Sequence, residues 1–250
     1  FWMKYYIIAG EASGDLHGSN LIKEIIKLDS NAKIRAWGGD KMHDAGATIV
    51  KHFKDLAFMG FYEVLINLRT ILNNISYCKK DILDFNPDKI IFIDYPGFNL
   101  RIAKWAKKYK FNTIYYIAPQ LWAWNEKRIN EIKKFVNSMY VILPFEKEFF
   151  EKKHNYPVNF LGHPLIDSIS NFQNKFQKHK QEIKLNNKPV IAILPGSRKQ
   201  EIKKILKTVI KVINDYPNYQ FIIAGAPNIE ISFYKNLLKT RANNNNLIDY

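Results

Sequence analysis

The chain alternates continuous apolar runs with stretches whose apolar residues recur at helical spacing, and nothing else in the sequence constrains the fold as much. Residues 5–9 read as a buried parallel strand, and Leu21, Ile22, Ile25, Ile26 and Leu28 follow at helical spacing. The same alternation predicts strands at 33–37, 89–93, 113–117 and 138–143, with helices at 66–84, 99–109 and 126–135. Pro87 ends the long helix before the strand at 89–93. Such a pattern implies a parallel sheet with right-handed crossovers and helices on both faces. Over residues 172–188 the apolar signal fades into Gln, Asn and Lys, which reads as a linker. The pattern then restarts with strands at 190–194 and 220–224 and helices at 202–213 and 231–238. After Asn243 to Asn246 comes the hint of one more strand. The expected organisation is an α/β chain of two doubly wound domains, 1–171 and 189–250, the second incomplete, joined by 172–188.

Composition narrows the classes. A chain of 250 residues that is 47% hydrophobic has ample apolar surface for packed cores. No stretch approaches the ~18 consecutive apolar residues of a membrane span. The start lacks the layout of a signal peptide, with Met3 as the expected natural first residue, so the chain is expected in the cytoplasm. The single cysteine, Cys78, excludes an intrachain disulfide and a cysteine-based metal site, and is expected to fill core. A net charge of +15 and a pI near 9.6 favour anionic partners such as phosphates or acidic lipid. Nucleic acid is disfavoured because no binding motif accompanies the charge.

In open α/β sheets, ligands sit beyond the carboxyl ends of the strands, so those ends are where function is sought. After the first strand come Gly10, Glu11, Ser13, Gly14, Asp15 and His17, read as a loop whose glycines permit close backbone approach and whose N–H groups suit an anion or a sugar. Ser13 and Asp15 read equally well as helix caps. The three-glycine dinucleotide fingerprint is absent, so no NAD is expected. Beyond the strand at 89–93 lie Asp94, Tyr95, Pro96, Gly97, Phe98 and Asn99; Asp94 is a candidate general base, with a helix cap as the alternative. The next strand leads to Gln120, Trp122, Trp124 and Arg128, where the tryptophans could stack on a sugar, contact acyl chains or plug a domain interface. In the second domain, Gly196, Ser197 and Arg198, with Glu201 just inside the helix, suit a pyrophosphate, although the segment is not a Walker loop.

The segments "GEASGD" with His17, "GGDKM", "MGFYEV", "PDKIIFIDYPGFN", "PQLWAWNEKR", "LPFEKEFF", "GHPL" and "LPGSRKQE", in this order, resemble the lipid-A-disaccharide synthases along nearly the whole chain. The resemblance implies a GT-B glycosyltransferase with two Rossmann-like domains. Its substrates would be UDP-2,3-diacylglucosamine and 2,3-diacylglucosamine 1-phosphate, joined with inversion and release of UDP, with neither metal nor cofactor. It also implies a place on the cytoplasmic face of the inner membrane of a Gram-negative bacterium. The apolar stretch 56–69, flanked by lysines and arginine, would be the acyl-chain and anionic-membrane surface. Asp94 is then the expected base, with Glu11 or His17 in reserve. Gly10, Ser13, Gly14, Asp15, Asn99, Gln120, Trp122, Trp124, Arg128, His163 of "GHPL", Gly196, Ser197, Arg198 and Glu201 are the expected substrate contacts, gathered on the rims of two facing sheets. Some relatives carry an aspartate where this chain has Gly97. Later segments of the family's nucleotide site are absent here, so these residues alone are expected to be inactive. The rival readings are another UDP-GlcNAc-using GT-B enzyme of the cell envelope, or a basic membrane-associating module without catalysis.

Overall fold

A computed structural model of the chain describes residues 2–56, 68–176, 188–213, 215–226, 229–239 and 247–249. The chain divides into two compact units, Phe1–Gln173 and Asn174–Tyr250. The apolar stretch singled out at 56–69 falls largely on 57–67, outside the described residues, as does most of the expected linker.

The first unit is built on a seven-stranded parallel sheet in the order β3-β2-β1-β4-β5-β6-β7. Its strands are β1 (Lys4–Ala9), β2 (Lys33–Gly38), β3 (Thr48–His52), β4 (Lys89–Ile93), β5 (Thr113–Tyr116), β6 (Ser138–Val141) and β7 (Asn159–Phe160). The helices are α1 (Ala12–Leu28), α2 (Asp40–Asp44), α3 (Leu68–Phe85), α4 (Pro96–Lys108), α5 (Leu121–Trp124), α6 (Ile129–Phe135), α7 (Pro144–Glu148) and α8 (Leu165–Phe176). Period-two alternation in β1 sends Tyr6 and Ile8 to one face and Ile7 and Ala9 to the other. The first face is covered by Ile75, Cys78 and Ile82 of α3, Ile102, Ala103 and Ala106 of α4, and Ile129 and Ile132 of α6. The second is covered by Ile22 of α1 and Met42 of α2. Each fully buried Ile or Met side chain among these contributes about 1.5–3 kcal/mol.

Two features differ from the sequence reading. The loop after β1 is shorter than "GEASGD" suggests: α1 begins at Ala12, with Glu11 at its N-cap, so Ser13, Gly14 and Asp15 lie in its first turn. Gly14 and Gly18, one turn apart, let α1 lie close to the sheet and to α2. A Cβ on Gly14 would lie 2.9 Å from the Ala9 Cβ, and one on Gly18 2.8 Å from the Met42 sulfur. In addition, β3, β7, α2, α5, α7 and α8 are elements that the sequence reading lacks; α5 places Trp122 and Trp124 on a helix rather than a loop, and α8 carries regular structure to Phe176, into the segment read as linker.

The second unit has a three-stranded parallel sheet in the order β10-β9-β8, with β8 (Val190–Ile193), β9 (Gln220–Ile223) and β10 (Leu247–Asp249). Helices α9 (Lys199–Ile213) and α10 (Ile231–Lys239) connect them. Ile202, Leu206, Ile210 and Ile213 of α9 pack with Ile193, Phe221, Ile223, Tyr234 and Leu238. Among the described residues, no helix is long and apolar enough to cross a membrane.

Candidate functional site

Strand order reverses between β1 and β4, which pair in parallel with Ala9 beside Ile93. From β1 the chain passes to helices on one face of the sheet, and from β4 to a helix on the other. In open α/β sheets a reversal of this kind is where ligands are bound, beyond the carboxyl ends of the strands. The segments there are Gly10 and Glu11 after β1 and Asp94 and Tyr95 after β4. They touch: a Cβ on Gly10 would lie 2.4 to 2.8 Å from three atoms of the Tyr95 ring, so only glycine lets that ring lie on the backbone there. Tyr95 stacks on Phe98 with ring centroids 5.4 Å apart and planes at 17°. Burial, and then the neighbouring Glu11 carboxylate, raises its phenol above the usual pKa.

The turn after β4 is strained. Asp94 (φ +43°) and Tyr95 (φ +47°) are consecutive non-glycine residues in the left-handed region, and β-branched Ile117 (φ +66°) at the end of β5 is a third. Residues held in this way cost on the order of 1–3 kcal/mol each and concentrate at functional sites. Here the hydrogen bonds holding them are visible. The Asp94 carbonyl accepts the Tyr115 hydroxyl at 2.6 Å and the Asn99 amide Nδ2 at 2.7 Å. The Asp94 N–H donates to the Ile117 carbonyl at 3.3 Å. Asn99 and Tyr115 are fully buried, whereas Asp94 is exposed. Tyr95, not Asp94, occupies the N-cap of α4, with Pro96 as the first helical residue, so the helix-cap alternative for Asp94 does not apply. Arg128 is close enough to the Tyr115 phenol to oppose the rise that burial and Asp94 impose on its pKa.

Asp15 is turned into the protein. It is 3% exposed, and its carboxylate accepts the backbone N–H groups of Gly39 (2.7 Å), Met42 (3.0 Å) and Lys41 (3.2 Å). It therefore caps α2, a helix other than its own. Gly14 likewise packs on Ala9 rather than approaching solvent. Ser13 is exposed on the first turn of α1. One turn on, His17 is half-buried, and burial, followed by the proximity of His163, lowers its pKa from the usual 6.5. The His163 Nδ1 accepts the Leu165 N–H at 3.2 Å at the start of α8, and α8 is tied to α1 by the Asn20 amide donating to the Ser168 hydroxyl at 3.2 Å. The "GHPL" segment thus lies beside the helix that follows β1.

At the end of β5, Gln120 is exposed. Trp122, 40% exposed, meets Phe145 edge-on with centroids 5.0 Å apart, and its indole N–H points to Glu146 at 3.4 Å. Glu146 is 1% exposed and accepts the N–H groups of Leu143 (2.9 Å) and Ile142 (3.1 Å), which fixes the end of β6. The Trp124 side chain lies outside what the structure describes. Tyr95 is named in the sequence reading without a role, and Tyr115 and Glu146 carry no signal there: Glu146 is one of three charged residues in "LPFEKEFF", with nothing to set it apart from Lys147 and Glu148.

In the second unit, Gly196 (φ +102°) turns the chain between β8 and α9. Glu201 folds beneath it, with Oε2 2.8 Å from the position of a Cβ, and pairs with Arg198 at 3.1 Å. Gly196, Ser197 and Arg198 are exposed immediately before the α9 N-terminus, an arrangement that can receive an anionic oxygen.

The profile of a family described as lipid-A-disaccharide synthetase matches residues 5–250. The lipid-A-disaccharide synthase of Coxiella burnetii (strain Dugway 5J108-111) is 38% identical over 229 residues, 90% of this chain and 61% of that protein. That of Geobacter metallireducens is 39% identical over 227 residues, 89% of this chain and 59% of that protein. The chain thus spans about three fifths of the length of these relatives. Among solved structures, the UDP-GlcNAc 2-epimerase of Neisseria meningitidis bound to UDP-GlcNAc superposes with a TM-score of 0.68 at 16% identity, covering 99% of this chain and 72% of that one. The UDP-GlcNAc 2-epimerase of Methanocaldococcus jannaschii, in complex with UDP-GlcNAc and UDP, gives 0.65 at 13% identity over 99% and 73%. At such identities the likeness is one of fold, the GT-B type.

Proposed function

The chain belongs to the lipid-A-disaccharide synthetase family, and from that premise we propose that the longer protein of which it can form part makes the lipid A disaccharide. In this reading, 2,3-diacylglucosamine passes from its UDP donor to the 6-hydroxyl of 2,3-diacylglucosamine 1-phosphate, forming a β-1,6 bond. The observation that carries the proposal is the placement of Glu11 and Asp94 on adjacent strand ends at the point where strand order reverses, in a chain matched to the family over residues 5–250.

The chemistry follows from the residues. A sugar hydroxyl is a weak nucleophile until a base within hydrogen-bond reach accepts its proton. Asp94 takes that role: it is an exposed carboxylate on a turn whose backbone is held on both sides of its Cα. The acceptor O6–H proton passes to Asp94, the O6–C1 bond forms as the bond from C1 to the phosphate oxygen breaks, and UDP leaves with that electron pair. Attack from the face opposite the leaving group inverts the anomeric centre. Within the second unit, Ser197, Arg198 and the N-terminus of α9 are the groups suited to hold the donor's diphosphate, without a metal. Glu11 and Ser13 orient acceptor hydroxyls, His17 and His163 lie beside them, and Trp122 offers a ring face to sugar or acyl chain. Asp15 and Gly14 support the fold of the site and do not touch substrate. Diacylated substrates place the work at the inner-membrane surface, where the basic balance of the chain favours anionic lipid.

The test is direct. Full-length protein is incubated with donor and acceptor, and disaccharide and UDP are measured by mass spectrometry. Stoichiometric appearance of both is expected, whereas UDP release without disaccharide, or no reaction, refutes the proposal.

A further inference from the structure

We propose that Tyr115 is a positioning residue for Asp94: with Asn99 it clamps the Asp94 carbonyl, and the left-handed turn so fixed aims the carboxylate above the carboxyl edge of the sheet. The inference rests on the reading of Asp94 as the base.

The direction in which a side chain leaves the backbone, and the rotamers open to it, are set by the two peptide planes flanking its Cα. Both planes are held at Asp94. On the N-terminal side, its N–H donates to the Ile117 carbonyl at 3.3 Å. On the C-terminal side, its carbonyl oxygen receives two donors, the Tyr115 hydroxyl at 2.6 Å and Asn99 Nδ2 at 2.7 Å, which engages both lone pairs. The donors cannot drift. The Tyr115 ring is 0% exposed and packs against Phe92 with centroids 5.7 Å apart, while Asn99, also 0% exposed, further contacts the Ile93 carbonyl at 3.4 Å.

Without this clamp, two consecutive left-handed residues that are not glycine would relax toward commoner backbone conformations, and the carboxylate would turn with them. A buried tyrosine that needed only a partner for its hydroxyl could use any carbonyl within reach. This one meets the carbonyl of the strained residue itself.

A double-mutant cycle in the full-length enzyme tests the inference, with kcat and KM measured for the parent, Tyr115→Phe, Asp94→Asn and the double variant. Tyr115→Phe keeps the ring in the core and removes only the hydroxyl. It is expected to lower kcat tenfold or more with KM changed less than threefold. Asp94→Asn is expected to lower kcat at least about a hundredfold, the scale of lost general-base catalysis. The double variant is expected to equal Asp94→Asn, because positioning has no effect once the carboxylate is gone. The inference is overturned if Tyr115→Phe retains the parental kcat, or if it lowers kcat by the same factor whether or not Asp94 is present, which marks a structural role alone. Should Asp94→Asn itself turn over at the parental rate, the base assignment fails first and the positioning role falls with it, a result legible from that single variant.

Discussion

Replacing Asp15 by alanine separates a structural carboxylate from a ligand-binding one. The residue is 3% exposed, and its removal strands the N–H groups of Gly39, Met42 and Lys41. The bonds to Gly39 and Met42 are buried, while the one to Lys41 is partly buried and within reach of water. A buried donor left without a partner costs about 1–3 kcal/mol, so the two buried groups together cost about 2–6 kcal/mol. Taking about 4 kcal/mol, and about 2–4 °C per kcal/mol for a unit of this size, the melting temperature should fall by about 8–16 °C. All five tryptophans of the chain lie in the first unit, and Trp37 is fully buried in β2 just before the capped segment, so thermal unfolding followed by tryptophan fluorescence reads the loss. Asp15→Asn should fall between the parent and the alanine variant, since it keeps one acceptor but turns a donor toward a donor. A shift below about 3 °C for Asp15→Ala would refute the assignment of Asp15 to the α2 cap and return it to the candidate ligands.

Other expectations follow from single positions. A Cβ added to Gly97, exposed in the first turn of α4, meets nothing within 4 Å, so Gly97→Ala should stabilise the chain by about 0.4–1 kcal/mol in thermal unfolding. At Gly196 the φ of +102° and a Cβ 2.8 Å from Glu201 Oε2 make Gly196→Ala destabilising by about 1–2 kcal/mol, read as roughly 5–30-fold faster amide exchange in the first turn of α9. Burial, then His163, lowers the His17 pKa from 6.5, so below that value the unfolded chain binds a proton that the folded one resists. The stability tied to neutral His17 is complete above pH 6.5 and declines as pH falls through the lowered folded pKa. His17→Gln should therefore lose less melting temperature than the parent between pH 7.5 and 5.5, and an equal loss would contradict the assignment.

The sequence made the central strands legible because a strand buried on both faces is a continuous apolar run, as in residues 5–9 and 89–93. It concealed β3, whose residues Thr48–His52 are only partly buried at the sheet edge, and β7, which is two residues long. Helix α8 is missing from the sequence reading although Leu165, Ile166, Ile169, Phe172 and Phe176 recur at helical spacing, because the Gln, Asn and Lys that begin at its C-terminal end read as a linker. The carboxyl-edge rule located Gly10, Glu11 and Asp94 from strand ends alone. It could not reveal that Asp15 turns inward to cap α2, because its partners lie 24 to 27 residues away. Nor could it find the strain at Asp94, Tyr95 and Ile117: glycine announces a left-handed turn in a sequence, and none of these residues is glycine. Tyr115 and Glu146 act on residues 21 and 24 positions distant, contacts that only the folded sheet creates.

Hydrogen–deuterium exchange of the full-length protein, with and without 2,3-diacylglucosamine 1-phosphate, tests where the acceptor binds. Protection is predicted in peptides covering 10–17 and 94–99, the two segments above the reversal between β1 and β4, with the opposite edge at Lys33 and Asn112 unchanged. Protection confined to that opposite edge, or absent from both segments at saturating acceptor, would contradict the account.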